Sequence, residues 1–211
     1  MSDPTRRARG EEMIKKVYAG DVVVPPAGAS AFADTMLEQF EDTQAGGFFF
    51  TSHDHEELVL RPKPGHDNAT PSGNAVAAWA LQRLTAIAGE ERYAQSARRT
   101  LELFFPAMRA HAGGFASMAM ALAEVLEPPA TLILRGEARS IEGWAAEITR
   151  ELLPDTIVLA LADGLAQLPA VLDKPARPGG VNAWLCRGVT CLQPITELDG
   201  LKRACKQPGL R

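Results

Sequence analysis

The sequence TPSGNAVAAWALQRLTAIAGEER, residues 70–92, contains the start of one helix, its end and the start of the next. Thr70 or Ser72 can cap the first helix, and Pro71 suits its first turn because the N–H that proline lacks would have no partner there. Gly89 is typical of a helix C-terminus, and the acidic residues that follow it favour a new helix N-terminus. The stretch therefore predicts two helices joined by a tight turn.

The spacing of apolar residues predicts which sides of these two helices are buried. In each helix the apolar positions recur at intervals of three and four residues, the pattern of a core-facing stripe. The second helix is expected to end at Pro106. We therefore predict an αα-hairpin. The first stripe consists of Val76, Ala80, Leu84 and Ile87, and the second of Tyr93, Ala97, Leu101, Phe104 and Phe105.

Two further helices flank this hairpin in the sequence. Ser30 is a suitable N-cap for a helix that continues to Phe40, with apolar residues at helical spacing. The other helix covers residues 115–126, and Glu124 is its only charged residue. Because a helix that is apolar nearly all round must be covered on several sides, we expect this one to need many neighbours.

The periodicity changes toward the C-terminus. Residues 131–134 and 156–161 are short runs of strand-forming residues, and a helical pattern over residues 140–153 separates them. Strand, helix and strand at this spacing predict a βαβ unit, which a strand over residues 181–186 and a helix capped by Thr196 extend. The predicted fold is mainly helical, with a small α/β unit at its end.

This pattern divides the chain into three predicted parts. Residues 1–29 form a poorly anchored lead-in, residues 30–128 the αα-hairpin region and residues 129–211 a small α/β subdomain. Within the lead-in, we expect a short helix over Gly10–Tyr18 and an extended segment over Val22–Val24.

Charge and hydropathy exclude several classes of protein. The 22 basic and 26 acidic residues give a net charge of −4, whereas a nucleic-acid binder needs a basic face to displace counterions. No apolar run approaches the roughly 18 residues of a membrane span, and the first residues lack the hydrophobic core of a secretory signal. We therefore expect a cytoplasmic protein that binds neither nucleic acid nor membranes.

The three cysteines lie near the C-terminus, at positions 186, 191 and 205. An odd number argues against a disulfide framework, and a structural zinc site would need a fourth ligand. We expect reduced thiols, with a disulfide or a metal site as the alternative.

The loop before the hairpin contains most of the side chains that could take part in catalysis or binding. Asp54, Glu56 and Asp67 could supply the two carboxylates of a glycosidase, one acting as acid and the other as base. The alternative is that these carboxylates form ion pairs with Arg61 and Lys63 that order the loop.

Two other interpretations of this loop are open. His53 and His55 would point the same way on an extended chain and could chelate a metal, although no third ligand is fixed. Asp67, Ser72 and Asn74 surround a helix N-terminus, which can bind an anion or a sugar hydroxyl, or these side chains simply cap the helix. No glycine-rich nucleotide loop follows a strand, and no serine nucleophile motif is present. We expect neither a cofactor nor a metal.

A longer motif within this region carries a family resemblance. The motif begins with Gly46-Gly47-Phe48-Phe49-Phe50-Thr51, continues through Arg61-Pro62-Lys63 and His66-Asp67, and ends with Thr70-Pro71-Ser72-Gly73-Asn74-Ala75-Val76-Ala77-Ala78. It resembles the C-terminal region of the thioredoxin-domain-containing YyaL proteins, called spermatogenesis-associated proteins in animals. The ending, Ala183-Trp184-Leu185-Cys186-Arg187 with Cys191-Leu192-Gln193-Pro194, is similar to that family's terminal strand and turn.

The resemblance implies an (α/α)6 toroid, similar to six-hairpin glycosidases and sugar epimerases, of which this chain would be a partial arc. It also implies a carbohydrate-related role for a sugar-like small molecule, with Asp67 and Glu56 as catalytic candidates. The alternative is a non-catalytic interaction module, or a truncated remnant. By position, the residues that would face the central cleft and bind substrate are Asp54, Arg61, Lys63, Asp67, Ser72 and Asn74.

Burial physics adds an expectation about assembly. An arc cut from a ring of helices leaves apolar sides uncovered, and monomers rarely expose contiguous apolar patches above a few hundred Å². We therefore predict self-association or a partner chain.

Overall fold

The computed structural model describes residues 26–206, apart from residues 57, 152, 154, 166 and 167. Most of the predicted lead-in, with its expected helix and extended segment, therefore lies outside the described residues. The first helix, α1, spans Pro26–Phe40 and thus begins before its predicted cap, Ser30.

The predicted αα-hairpin is present. Helix α2 spans Gly73–Ala88 and helix α3 spans Glu91–Ala110. The Ser72 hydroxyl caps α2 by accepting a hydrogen bond from the Ala75 N–H at 3.1 Å. Gly89 ends α2 in the left-handed conformation, with φ of 74°. The capping signals that the sequence contains are thus confirmed.

The predicted core stripe of α2 is only partly correct. Leu84 is buried as expected, but the side chain of Val76 is 47% exposed. The buried side follows the alanines, because small side chains let neighbouring helices approach closely, and apolar spacing alone does not reveal that. The buried residues of α2 are Asn74, Ala75, Ala77, Ala78, Leu81 and Leu84.

The second helix of the hairpin does not end where the sequence predicts. Helix α3 passes through Pro106 to Ala110. Met108 beyond the proline is buried, and this packing offsets the hydrogen bond that the proline removes. A 3-10 turn then leads into helix α4, which spans Ala116–Leu126.

The C-terminal part is a four-stranded mixed sheet with two helices. Strand β1 lies parallel to β2, as the predicted βαβ unit requires, and antiparallel to β3, so that the strand order is β2-β1-β3-β4. Helix α6 begins after Glu197, next to the predicted cap Thr196. The elements are β1 (Ala130–Gly136), α5 (Ala138–Thr149), β2 (Thr156–Ala162), β3 (Val181–Arg187), β4 (Thr190–Cys191) and α6 (Leu198–Cys205).

The two faces of this sheet are covered differently. Helices α5 and α6 cover one face, where Leu132, Leu134 and Leu185 contact Ile141, Ile148 and Leu201. The other face packs against the chain around Leu172 and against Ile87 near the end of α2. The protein is thus mainly helical with a small α/β unit, as the sequence predicts.

The expectation of reduced cysteines is wrong for one pair. Cys186 and Cys191 face each other across the β3–β4 hairpin and are joined by a disulfide bond, whereas Cys205 is free. The hairpin brings two residues five positions apart to the same point, which a count of cysteines does not show.

Candidate functional site

Asp67 joins the N-termini of two helices. Its Oδ1 accepts a hydrogen bond from the backbone N–H of Ser72, at the start of α2, at 2.9 Å. Its Oδ2 accepts one from the N–H of Ser117, in the first turn of α4, at 2.8 Å. Further along, the Gln82 side chain on α2 donates to the Ala121 carbonyl on α4. The two helices therefore run side by side in the same direction.

These hydrogen bonds also stabilise the ionised form of the Asp67 side chain. The N–H of Ser117 contributes most to lowering the pKa of this carboxyl below its ordinary value, the N–H of Ser72 lowers it further, and partial burial opposes them. A general acid for glycoside hydrolysis requires a raised pKa. Asp67 is therefore suited to anchoring helices as a carboxylate rather than to donating a proton.

Asn74 connects the loop to α2 from inside the protein. Its side chain is 2% exposed. The side-chain oxygen accepts a hydrogen bond from the Phe48 N–H at 2.6 Å, and the amide nitrogen donates to the carbonyls of Phe48 and Pro64. This two-way pairing with Phe48 resembles a strand pair, so Asn74 holds two distant parts of the loop against the helix.

The glycine pair before Phe48 allows this close approach. Both Gly46 and Gly47 have positive φ, 80° and 74°. A Cβ on Gly46 would lie 2.7 Å from the Arg99 carbonyl oxygen on α3, and one on Gly47 would lie 2.8 Å from a methyl group of Leu103. Only glycine fits both the backbone conformation and the space.

The two basic residues of the motif, Arg61 and Lys63, bind other groups of the same loop. Lys63 donates to Asp42 at 2.7 Å and to the Gly46 carbonyl at 2.9 Å, with both charged side chains largely buried. Arg61 donates to the Thr51 carbonyl at 2.6 Å, and its guanidinium lies 4.1 Å from the centre of the Phe49 ring. An ion pair does order the loop, but its acid is Asp42. The predicted ion pairs of Asp54, Glu56 and Asp67 with Arg61 and Lys63 are not seen among the described residues.

The other acidic candidates lie apart from this network. Asp54 and Glu56 are exposed, and the hydroxyl of Ser52 is the main cause that lowers the pKa of Asp54. His53 hydrogen-bonds to the Glu41 carbonyl at 3.0 Å and contacts Arg61. The structure thus brings Lys63, Asp67, Ser72 and Asn74 into one region of backbone anchoring, with Arg61 beside it, and leaves Asp54 and Glu56 on the surface.

A groove opens where this loop meets the first two helices. It encloses about 290 Å³ and is almost wholly apolar. Phe50 in its wall is 73% exposed, and Phe32, one turn before Met36 on α1, is 50% exposed. Neither Asp67 nor Glu56 lines it. We call this feature the apolar groove; its lining residues are Met36, Phe40, Phe48, Phe49, Phe50, Pro64, Gly73, Asn74 and Ala77.

A second apolar surface lies on α4. The expectation that this helix needs neighbours on several sides is met on one side only, where Phe115, Met118 and Ala121 are buried. Met120 is 65% exposed and Leu126 is 74% exposed. We call the exposed side the α4 face; it consists of Ala116, Ala119, Met120, Ala123 and Leu126.

Neither a metal site nor a membrane helix is present in the described part of the chain. Its His, Cys, Asp and Glu side chains form no cluster of three that could hold a metal ion, so the two histidines of the loop have no third ligand there. No described helix combines the length and the apolar character that crossing a membrane requires.

Comparison with known proteins supports the resemblance that the motif suggests. No family model matches the sequence. Spermatogenesis-associated protein 20 of Homo sapiens is 27% identical over 178 residues, 81% of this chain and 23% of the human protein. The proteins of the same name from Rattus norvegicus and Mus musculus are each 25% identical over 182 residues. The chain is related in sequence to spermatogenesis-associated protein 20.

The similarity covers only part of each relative. The chain spans about a quarter of the length of these curated relatives. The relation to spermatogenesis-associated protein 20 therefore concerns one region of a longer protein.

Sequence reasoning missed two features of the site. Asp42 was not recognised as the partner of Lys63, because the two residues are 21 positions apart and only the turn at Gly46 brings them together. The exposure of Phe32 was also missed, since helical spacing predicts an apolar side but not whether a neighbour covers it.

Proposed function

We propose that this chain is a helical interaction module that associates with a second copy of itself. The observation that carries the proposal is the pair of uncovered apolar surfaces, the apolar groove and the α4 face, on one helical layer. Burial of such surface is worth roughly 25 cal/mol per Å², so their exposure to water is costly in a lone chain.

The proposed contact pairs a concave surface with a convex one. The apolar groove is concave and has aromatic walls, whereas the α4 face is the convex side of a helix. Three alanines on that helix, Ala116, Ala119 and Ala123, permit a close approach, and Met120 can adapt its shape to an irregular cavity. Because one chain carries both surfaces, a second copy can cover them without another protein.

The surfaces lie on the two flanks of α2. Helix α1 forms one side of the groove, with Gly73 and Ala77 of α2 on the other, and α4 lies along a different side of α2. A contact between the groove of one copy and the α4 face of another is heterologous, which leads to a ring or an open chain of copies.

This arrangement agrees with the partial toroid that the family resemblance implies. In an (α/α)6 ring each hairpin covers its neighbour, so an arc has two uncovered edges. The match to about a quarter of spermatogenesis-associated protein 20 is consistent with such an arc. In this proposal, neighbouring copies take the positions that adjacent hairpins hold in a ring.

The polar loop supports an interaction role over catalysis. Asp67, Ser72 and Asn74 direct their polar atoms at backbone groups of the same chain. The carbohydrate-related role is a prediction of the resemblance alone. Thermal-shift screening against sugars and sugar phosphates tests it: stabilisation by a sugar that Asp67→Ala abolishes would favour that role, and we expect none.

Light scattering coupled to size-exclusion chromatography tests the association. We expect dimers or larger species whose mass rises with concentration, and monomers for Phe50→Glu, in the wall of the groove, or Met120→Glu, on the α4 face. Val189→Glu is the matched control, because Val189 is exposed but lies on the sheet hairpin. A compact wild-type monomer at about 100 μM would refute the proposal.

Mixing the two variants tests the geometry. Phe50→Glu leaves the α4 face intact and Met120→Glu leaves the groove intact, so an equimolar mixture should form a heterodimer although each variant alone is monomeric. A mixture that stays monomeric would contradict a groove-to-helix contact.

A further inference from the structure

The disulfide of the C-terminal sheet lies at an exposed edge. It joins Cys186 on β3 to Cys191 on β4, the two-residue strand at the end of the sheet. The turn between them contains Gly188, with φ of 54°, and Val189, which is 95% exposed. The bond therefore lies at the base of an exposed turn, with Cys186 buried on its inner side.

This disulfide closes a short loop, so it stabilises the fold less than a long-range cross-link would. A cross-link stabilises mainly by restricting the unfolded chain, and its effect grows with the length of the loop it closes. The two cysteines are only five residues apart. Backbone hydrogen bonds also hold the hairpin, including one from the Leu192 N–H to the Leu185 carbonyl at 2.9 Å. The bond can therefore open while the protein stays folded.

Both cysteines line a cavity that a reactant can enter. The cavity encloses about 210 Å³ between the sheet and the C-terminal part of α2. Cys186 is 4% exposed and Cys191 is more accessible. Lys174 lines the cavity too. An ammonium group close to a thiol would favour the thiolate form on which exchange depends. The other walls are mostly apolar, with Ala86, Ile133, Val171 and Leu172 among them.

We propose that Cys186–Cys191 is a thiol–disulfide exchange site that reacts with dithiols. One thiolate of the dithiol attacks Sγ of Cys191, the more accessible residue, forming a mixed disulfide and releasing Cys186 as a thiolate. The second thiolate of the dithiol then displaces Cys191. Two electrons pass to the protein, the dithiol leaves as a disulfide, and the protein thiolates take up two protons. The reverse steps oxidise the pair.

Equilibration of the full chain with defined ratios of reduced and oxidised dithiothreitol tests this proposal. Acid quenching, alkylation with a maleimide and mass spectrometry then count the thiols. We expect Cys186 and Cys191 to gain and lose the label together in one two-electron transition, while far-ultraviolet circular dichroism stays unchanged. Independent labelling of the two residues, or reduction only where the protein unfolds, would overturn the proposal.

Two variant pairs strengthen the test. In Cys191→Ser the two-electron transition should disappear, whereas Cys205→Ser should retain it, since burial raises the pKa of the Cys205 thiol and that residue has no disulfide partner. Lys174→Gln should slow exchange several-fold, and Arg139→Gln, an exposed cation on the helix across the sheet, should not. Equal rates in these two variants would overturn the assignment of the cavity as the route of attack.

Discussion

The Asp67 carboxylate accepts a hydrogen bond from the backbone N–H of Ser117 at 2.8 Å, although the two residues are 50 positions apart. Through its other oxygen the same carboxylate binds the start of α2. Together with the hydrogen bond from Gln82 to the Ala121 carbonyl, this side chain therefore helps to fix the position of α4 relative to α2. Asp67 therefore contributes to the relative position of the two surfaces on which the proposed association depends.

Replacing Asp67 with asparagine should destabilise the protein by about 1–3 kcal/mol, because asparagine supplies one acceptor where two N–H groups need partners. It also removes a negative charge from two helix N-termini. Urea unfolding at pH 7 measures the loss. The control is Glu56→Gln, which changes an exposed carboxylate of the same loop and should alter the free energy of unfolding by less than about 0.5 kcal/mol. Equal stabilities of the two variants would show that Asp67 is not the anchor.

The ion pair between Asp42 and Lys63 predicts how stability depends on pH. The hydrogen bond that the Asp42 carboxylate accepts from Lys63 is the main cause that lowers the pKa of Asp42 from 3.8 to about 2. The Asp42 carboxylate of the unfolded chain therefore binds a proton at higher pH than that of the folded protein. The contribution of Asp42 to the free energy of unfolding is fully present above about pH 4 and is lost as the pH falls toward 2.

Comparison with a variant isolates this contribution. Asp42→Asn should lower the free energy of unfolding at pH 7 by about 1–2 kcal/mol, and its difference from the wild type should shrink between pH 4 and pH 2. Urea unfolding at several pH values measures both effects. A difference that stays constant over this range would contradict the assigned pair.

Local signals in the sequence sufficed for the ends of elements but not for their contacts. Ser72 and Gly89 mark the ends of α2 because capping depends on a few neighbouring residues. The burial of Ala75 and the exposure of Val76 depend on where α1, α3 and α4 lie, which helical spacing does not encode. The disulfide was missed for a similar reason, since it follows from the register of a hairpin.

The sequence located the candidate site by its residues and left its chemistry open between ligand binding and helix capping. The motif pointed correctly to a dense polar region around Asp67 and Asn74. Whether a carboxylate there meets a substrate or a backbone N–H depends on the position of α4, far along the sequence. Only the structure shows that the Asp67 carboxylate accepts a hydrogen bond from the N–H of Ser117.

The tight turn at Gly47 predicts a glycine requirement. In Gly47→Ala, a Cβ must occupy a backbone with φ of 74° and lie 2.8 Å from Leu103, so we expect a loss of about 2–4 kcal/mol in the free energy of unfolding. Gly73→Ala is the matched control: a Cβ there meets nothing within 4 Å, and alanine favours the helix. Urea unfolding compares them. If Gly47→Ala were as stable as Gly73→Ala, the close approach of loop and α3 would be wrong.

The buried cation of the sheet, Arg135, leads to the last prediction. Its side chain is 7% exposed, and it donates hydrogen bonds to the carbonyl oxygens of Lys174 at 2.9 Å, Leu161 at 3.2 Å and Ala162 at 3.1 Å. It thereby ties the end of β2 to the segment that covers the second face of the sheet.

Arg135→Met keeps the length of the side chain but leaves these carbonyls without their donor, at a cost of about 2–4 kcal/mol in the free energy of unfolding. Arg139→Met, on the exposed side of α5, should stay within about 0.5 kcal/mol of the wild type. Urea unfolding measures both, and hydrogen exchange should show faster exchange around Leu172 in the first variant alone. Because that segment also lines the cavity beside Cys186, Arg135→Met should speed disulfide exchange, and an unchanged rate together with unchanged stability would show that Arg135 does not hold the segment in place.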